Sequence, residues 1–231
     1  MRYSIFDFLH AAAYGTTDEV RKMLDSGIDV NARNEGSSET ALMTAAGGGN
    51  VDTVKLLIER GADVNAKSFE GGTALLVAIE QRRDEVVECL LSYGANPNDK
   101  LAIEPGFTAL CMAAQRGYLR ILKALLEAGA DTEKRAGDGS TALVNAAFKG
   151  HDDIARELIM SGADKWAKSA GMTAEDFAER FGNSSTAVVI RDTVQNNNGR
   201  RVGTPTSTGC IVPLLIGFSS VLTVVVAIIF T

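Results

Sequence analysis

Apolar residues along this chain fall in short clusters at helical spacing, separated by polar, glycine-rich breaks. From Thr73 the segment reads TALLVAIEQ, and from Asp84 it reads DEVVECLLSYG, with Val86, Val87, Leu90 and Leu91 on one helical face. Two amphipathic helices joined by a tight turn are predicted. The same phrasing recurs: ETAL at Glu39, GTAL at Gly72, FTAL at Phe107 and STAL at Ser140, whose threonines are 33, 35 and 33 residues apart. A second word keeps phase with the first: GIDVN at Gly27, GADVN at Gly61, GANPN at Gly94, GADTE at Gly129 and GADKW at Gly162. Its glycine falls just past the second helix, where a left-handed C-cap disfavours any residue with a Cβ. NAKSFEGG then leads to the next threonine as a turn-rich finger. Neither helix of a pair can bury its apolar face alone, so neighbouring units must stack into an elongated solenoid with a continuous core.

The pattern changes after Val194. QNNNGRRVGTPTSTG, from Gln195 to Gly209, is polar and rich in Gly, Thr and Asn, which reads as a flexible tether over 195–210. From Ile211 to Thr231 there are 21 residues without a charge, 14 of them Ile, Leu, Val or Phe. At 1.5 Å rise per residue such a helix crosses a hydrocarbon core of about 30 Å, so 211–231 is expected to be a transmembrane helix. Arg200 and Arg201 precede it and no charge follows, which places the repeats on the cytosolic side. The lack of basic residues after the apolar run tilts the expectation toward the endoplasmic reticulum rather than mitochondria in a eukaryotic host. The N-terminal MRYSIFDFLHAAAYG carries Asp7 and His10 within its apolar stretch, so no secretory signal is expected. Cys210, at the expected membrane boundary, is read as an unmodified interfacial thiol, with thiol acylation as the alternative.

The period near 33 residues, the TAL opening with its Ala-Ala pair and the GADVN ending resemble the ankyrin repeat over about residues 5–190. The resemblance implies an all-α repeat solenoid of stacked helix pairs with β-turn fingers. Over 1–194 it implies an N-terminal capping repeat ending near Asn31, four full repeats and a partial closing repeat. The chain departs from the family's T-P-L-H opening: Ala41, Ala74, Ala109 and Ala142 replace Pro, and Met43, Leu76, Cys111 and Val144 replace His. Packing is expected to take over from the lost side-chain hydrogen bond. Two fingers are long, one within Arg33–Thr40 and one, KLAIEPGFT, within Lys100–Thr108.

The resemblance also implies a protein partner, held by the fingers and the variable face of the first helices. Carried onto this chain, that surface comprises Tyr14, Glu80, Gln81, Met112, Gln115, Arg116, Phe148 and Lys149, together with the apolar finger residues Phe69 and Ile103. Aromatic anchors among them are the expected hot spots. Trp166, in place of the Asn of the second word, is expected to cover the end of the stack.

Composition narrows the functional classes. With 45% hydrophobic and 23% charged residues the chain reads as folded, and a formal charge of -6 argues against nucleic acid as a partner. Three widely spaced cysteines do not form a disulfide framework and fit a reducing compartment. The chain has two histidines, His10 and His151, several stacked units apart, and carries no G-x-S-x-G elbow, P-loop, dinucleotide-binding glycine pattern, H-E-x-x-H or paired C-x-x-C. No catalytic residue, cofactor, metal or small-molecule substrate is inferred. Gly47-Gly48-Gly49 reads as the turn between two helices, Asp152-Asp153 and Glu175-Asp176 as first turns of helices, and the Asn183-Ser184-Ser185 sequon as silent. The expected function is a membrane-tethered interaction scaffold. The alternatives are a soluble regulator or inhibitor whose apolar tail packs on a partner, and an accessory subunit of a membrane complex.

Overall fold

The computed structural model describes residues 3–102 and 106–194. The expectations for Ile103, for the tether 195–210 with Cys210 and for the transmembrane helix 211–231 lie outside the described residues. Among those described, no helix is long and apolar enough to cross a membrane.

Twelve helices form six pairs among the described residues: α1 (Ile5–Tyr14) with α2 (Thr17–Asp25), α3 (Ala41–Gly48) with α4 (Val51–Glu59), α5 (Ala74–Glu80) with α6 (Asp84–Ser92), α7 (Ala109–Arg116) with α8 (Leu119–Glu127), α9 (Ala142–Lys149) with α10 (Asp152–Met160), and α11 (Ala174–Arg180) with α12 (Ser184–Asp192). First helices stack on first helices and second on second, which gives two layers. The unit expected to be a partial closing repeat contains both of its helices, α11 and α12.

Helices this short are marginal alone, so caps and stacking hold them. Thr40, Thr73, Thr108, Thr141 and Thr173 are the N-caps of α3, α5, α7, α9 and α11, and each side chain accepts from the backbone N–H three residues on. Past the second helices, Gly61 and Gly162 have φ of +92° and +97°, so only glycine is unstrained there. One apolar core runs from Phe8 to Ile190. Met43, Leu76, Cys111 and Val144 are all buried in it, the packing expected in place of the family's histidine.

The glycine run departs from expectation. Gly47 and Gly48 belong to α3, and Gly49 alone is its left-handed C-cap. The cause is close approach: a Cβ on Gly48 would lie 2.2 Å from the Ala13 carbonyl oxygen of α1, and one on Gly47 would lie 3.1 Å from Val77 Cγ1 of α5.

Two repeated ties join successive units. The Asn that ends the second word reaches the next unit: Asn65 Nδ2 donates to Gly94 O at 3.2 Å, and its Oδ1 accepts from Asn96 N at 2.9 Å. Asn31 and Asn98 do the same to Gly61 and Asp63, and to Gly129 and Asp131. Glu133 keeps only the accepting half, from Asp164 N at 2.9 Å. The second tie caps the carboxyl ends of the first helices from one repeat further on. Arg83 Nε donates to Gly47 O at 2.9 Å, an Arg116 terminal nitrogen to Glu80 O at 2.8 Å, and Asn183 Nδ2 to Ala147 O at 2.9 Å; His151 Nε2 stands 3.3 Å from Gln115 O.

The fingers pair backbone to backbone. Both long ones close on an antiparallel bridge, Arg33 with Thr40 and Lys100 with Thr108. Phe69 N donates to Ser37 O at 3.1 Å and Ala102 N to Glu70 O at 2.9 Å, linking three fingers in a row. At the far end Trp166 does not cover the stack and is 59% exposed. The neighbouring Lys165 is buried instead and donates to the carbonyls of Ile190, Arg191 and Thr193, closing the end of α12.

Candidate functional site

The first-helix layer and the fingers together present the surface on which the sequence placed its candidate contacts. Helical periodicity decides which residues reach it. On α1, Phe6, His10 and Tyr14 follow at i, i+4 and i+8 and stand in one ring row, with centroids 6.3 Å and 5.3 Å apart. Phe8, Leu9, Ala11 and Ala12 take the buried side of the same helix. Phe6 and Tyr14 are 77% and 81% exposed, an apolar cost without return inside the monomer.

Beside this row lies a groove of about 610 Å³, lined by Phe6, His10 and Tyr14 of α1, Thr44, Gly47 and Gly48 of α3, Val77 of α5, and Glu39 and Arg83 at its two ends among others. The absence of side chains at Gly47 and Gly48 makes its floor. Glu39 lies in the closing arm of the first finger, and its Oε2 accepts from the Ser37 hydroxyl at 2.9 Å. Arg83, at the amino end of α6, is anchored by its bond to Gly47 O. Phe69, tied through its backbone to the first finger, is 72% exposed.

The remaining candidates separate by environment. Met112 is only 5% exposed and belongs to the core; it is no surface contact, because the position turns toward the neighbouring first helices of the stack. Glu80 and Arg116 are occupied with each other, with an ion pair at 3.4 Å and the carbonyl bond described above. Gln115 is half-buried and its carbonyl faces His151. Gln81 is exposed and lines the groove. Phe148, at 37% exposure, meets Phe181 edge-on with centroids 4.5 Å apart, and Lys149 Nζ lies 5.1 Å from the Phe148 ring centre. Tyr14 and Gln81 therefore line one groove and Phe69 stands on the adjoining finger, whereas Phe148 and Lys149 sit at the opposite end of the layer. Phe6, His10, Glu39 and Arg83 were not singled out from sequence as contacts, although the four-residue spacing of Phe6, His10 and Tyr14 on a helix was a usable signal.

Titratable groups outside the groove serve the architecture. Burial pushes the Cys111 thiol up, and Cys89 likewise, so neither is a ready thiolate. Hydroxyl donors Ser185 and Thr186 hold the Asp152 carboxyl below its usual range and join α10 to α12. Asn183, the sequon residue, spends its amide on Ala147 O and Phe148 O. Among the described residues no cluster of three or more His, Cys, Asp or Glu is arranged to hold a metal.

Comparison with known proteins agrees with this architecture. The family profile described as Ankyrin repeats (3 copies) matches residues 8–101 and 101–169. A curated relative, the putative ankyrin repeat-containing protein of Treponema pallidum (strain Nichols), is 36% identical over 73 residues, which is 32% of this chain and 24% of that protein. This chain thus matches about a quarter of that relative's length. A solved structure, the Bd0816 predatory endopeptidase from Bdellovibrio bacteriovorus in complex with immunity protein Bd3460, contains a chain that superposes with a TM-score of 0.73 at 33% identity. The match covers 79% of this chain and 95% of that one.

Proposed function

This chain belongs to the ankyrin-repeat family, and from that premise we propose that it is a non-catalytic scaffold that captures a protein partner in its first-helix groove and holds it at a membrane. The observation that carries the binding half is the unpartnered aromatic row Phe6, His10 and Tyr14 beside the glycine floor of α3. Exposed rings set next to a depression are the arrangement of an interaction hot spot, where burying them on a partner recovers area that the monomer leaves in water. The membrane half is supported by sequence alone. The uncharged run 211–231 meets the length and hydropathy of a spanning helix, the tether 195–210 gives the repeats reach, and Arg200 and Arg201 favour repeats on the cytosolic side. Confinement to two dimensions raises the local concentration of the captured partner.

Alkaline extraction of membranes from cells expressing the full chain, beside a version ending at Gly209, tests the tether. Retention of the full chain alone in the pellet is the expected result. Release of both forms defeats it and favours a second reading, a soluble inhibitor whose apolar run packs on the partner. That second reading is motivated by the structural neighbour, a chain from a complex of an endopeptidase with an immunity protein.

A further inference from the structure

The side chains that cap first-helix carbonyls from one repeat further on do so with unequal chemistry. Asn183, the N-cap residue of α12, holds Ala147 O with a neutral amide. Arg83, the N-cap residue of α6, holds Gly47 O through Nε at the same spacing of 36 residues. Capping therefore does not call for the charge that Arg83 carries. Arg116, which caps Glu80 O, also has that residue's carboxylate at 3.4 Å. Arg83 is exposed, and its terminal nitrogens have neither a hydrogen bond nor an ion pair among the described residues. Glu80 and Asp84, the acidic residues closest to it along the chain, pair with Arg116 and Arg120 instead.

This surplus guanidinium has a fixed place at the turn end of the groove. A Cβ on Gly49 would stand 2.9 Å from its Cδ and 3.3 Å from its Cζ, so the missing side chain lets the arginine lie against the turn. Gln81, whose Cγ would stand 4.0 Å from a Cβ on Gly47, is exposed, and its amide makes no hydrogen bond among the described residues. Both line the groove with Leu9, Ala13, Tyr14 and Val77. The one carboxylate of the lining, Glu39, lies beyond the opposite end of α3, about 12 Å away for a helix of 8 residues. That exceeds the screening length of about 10 Å at 0.1 M salt, so Glu39 offsets little of the charge at the turn end. His10 adds only to the positive side when it is protonated.

A guanidinium fork beside an apolar floor complements a carboxylate borne next to an apolar side chain. Resting on the scaffold reading above, we infer that the groove recognises an acidic protein segment: an Asp or Glu accepts from the terminal nitrogens of Arg83 and from Gln81, and the apolar residue beside it lies on the Gly47–Gly48 floor against Tyr14. A basic segment meets Arg83 with repulsion, and a neutral apolar one fills the depression but leaves the fork unused. The adjoining depression, which Arg33 and Glu35 both line, is balanced in charge and has no part in this choice.

The test is selection from a random dodecapeptide library on the full chain in detergent micelles, with counter-selection on a Phe6→Ala/Tyr14→Ala variant. The expected pool is enriched in peptides with an Asp or Glu next to an apolar residue. Replacing that acid by the corresponding amide is expected to weaken binding to the wild type roughly tenfold. In Arg83→Asn the acid and amide peptides are expected to bind alike, because a neutral side chain can keep the cap to Gly47 O, as Asn183 does for Ala147 O, and only the charge is lost. Phe148→Ala is a remote control that leaves binding unchanged, and circular dichroism of each variant confirms that the repeats remain folded. A pool that is lost in Phe6→Ala/Tyr14→Ala but binds equally as acid or amide, or keeps its preference for the acid in Arg83→Asn, overturns the carboxylate inference and leaves groove binding standing. Failure to enrich any peptide that distinguishes wild type from the double variant overturns both.

Discussion

Gly48 shows how one absent side chain sets both packing and site. A methyl at this position would overlap backbone, the Ala13 carbonyl oxygen, whereas one at Gly47 would press only on the movable Val77 side chain. Gly48→Ala is therefore expected to cost about 1–3 kcal/mol in urea denaturation, with Gly47→Ala clearly milder. The two aromatic candidates at opposite ends of the layer also separate. Tyr14 touches little beyond His10 and is almost fully solvated, so Tyr14→Ala should leave the denaturation midpoint unchanged while weakening partner capture. Phe148→Ala should lose about 1 kcal/mol with its edge-to-face contact to Phe181. A sequence read one repeat at a time treats Met112, Arg116 and Tyr14 alike, as variable first-helix positions. What distinguishes them is the neighbour one unit away. Met112 faces the stack, Arg116 has Glu80 within reach, and Tyr14 has an open groove of glycines.

At the scale of the element, each helix pair depends on hydrogen bonds delivered from the next. Asn65→Ala removes a donor to Gly94 O and an acceptor for Asn96 N, and is expected to destabilise by about 1–2 kcal/mol, part of it recovered by water at this exposed site. Trp166→Asn should bring no matching gain, because no described following word stands opposite it. Guanidine or urea midpoints of the two variants check both statements. The helix pairs themselves were legible in sequence because their starts and stops are local: a threonine cap, an Ala-Ala pair, a glycine in left-handed geometry. The carbonyl caps supplied by Arg83, Arg116, His151 and Asn183 were not. Each acts across one whole repeat, through three different residue types at shifting positions, so no repeated word marks them. The finger bridges fall between these cases, since the extra lengths at Arg33–Thr40 and Lys100–Thr108 marked the fingers without showing that they pair.

For the whole molecule, stability is carried from neighbour to neighbour, so its two ends can fail separately. The C-terminal pair is joined to α10 through the Asp152 carboxylate and the hydroxyls of Ser185 and Thr186, an arrangement that lowers the Asp152 pKa from its ordinary 3.8. A carboxyl whose folded pKa is depressed contributes stability that is present above the unfolded value and lost as pH falls through the folded one. Acidification below about pH 3.8 should thus loosen α11 and α12 before α3 to α5, an order readable by amide hydrogen exchange. In Asp152→Asn the acid-dependent step of α12 should shrink, because the amide carries no charge to lose. The groove between α1 and α5 is expected to keep its affinity for a captured partner in that variant at neutral pH, since no α12 residue lines it. Loss of groove binding together with α12 protection would mean that the solenoid opens as one cooperative unit, and the groove would then be controlled by the C-terminal end of the repeats.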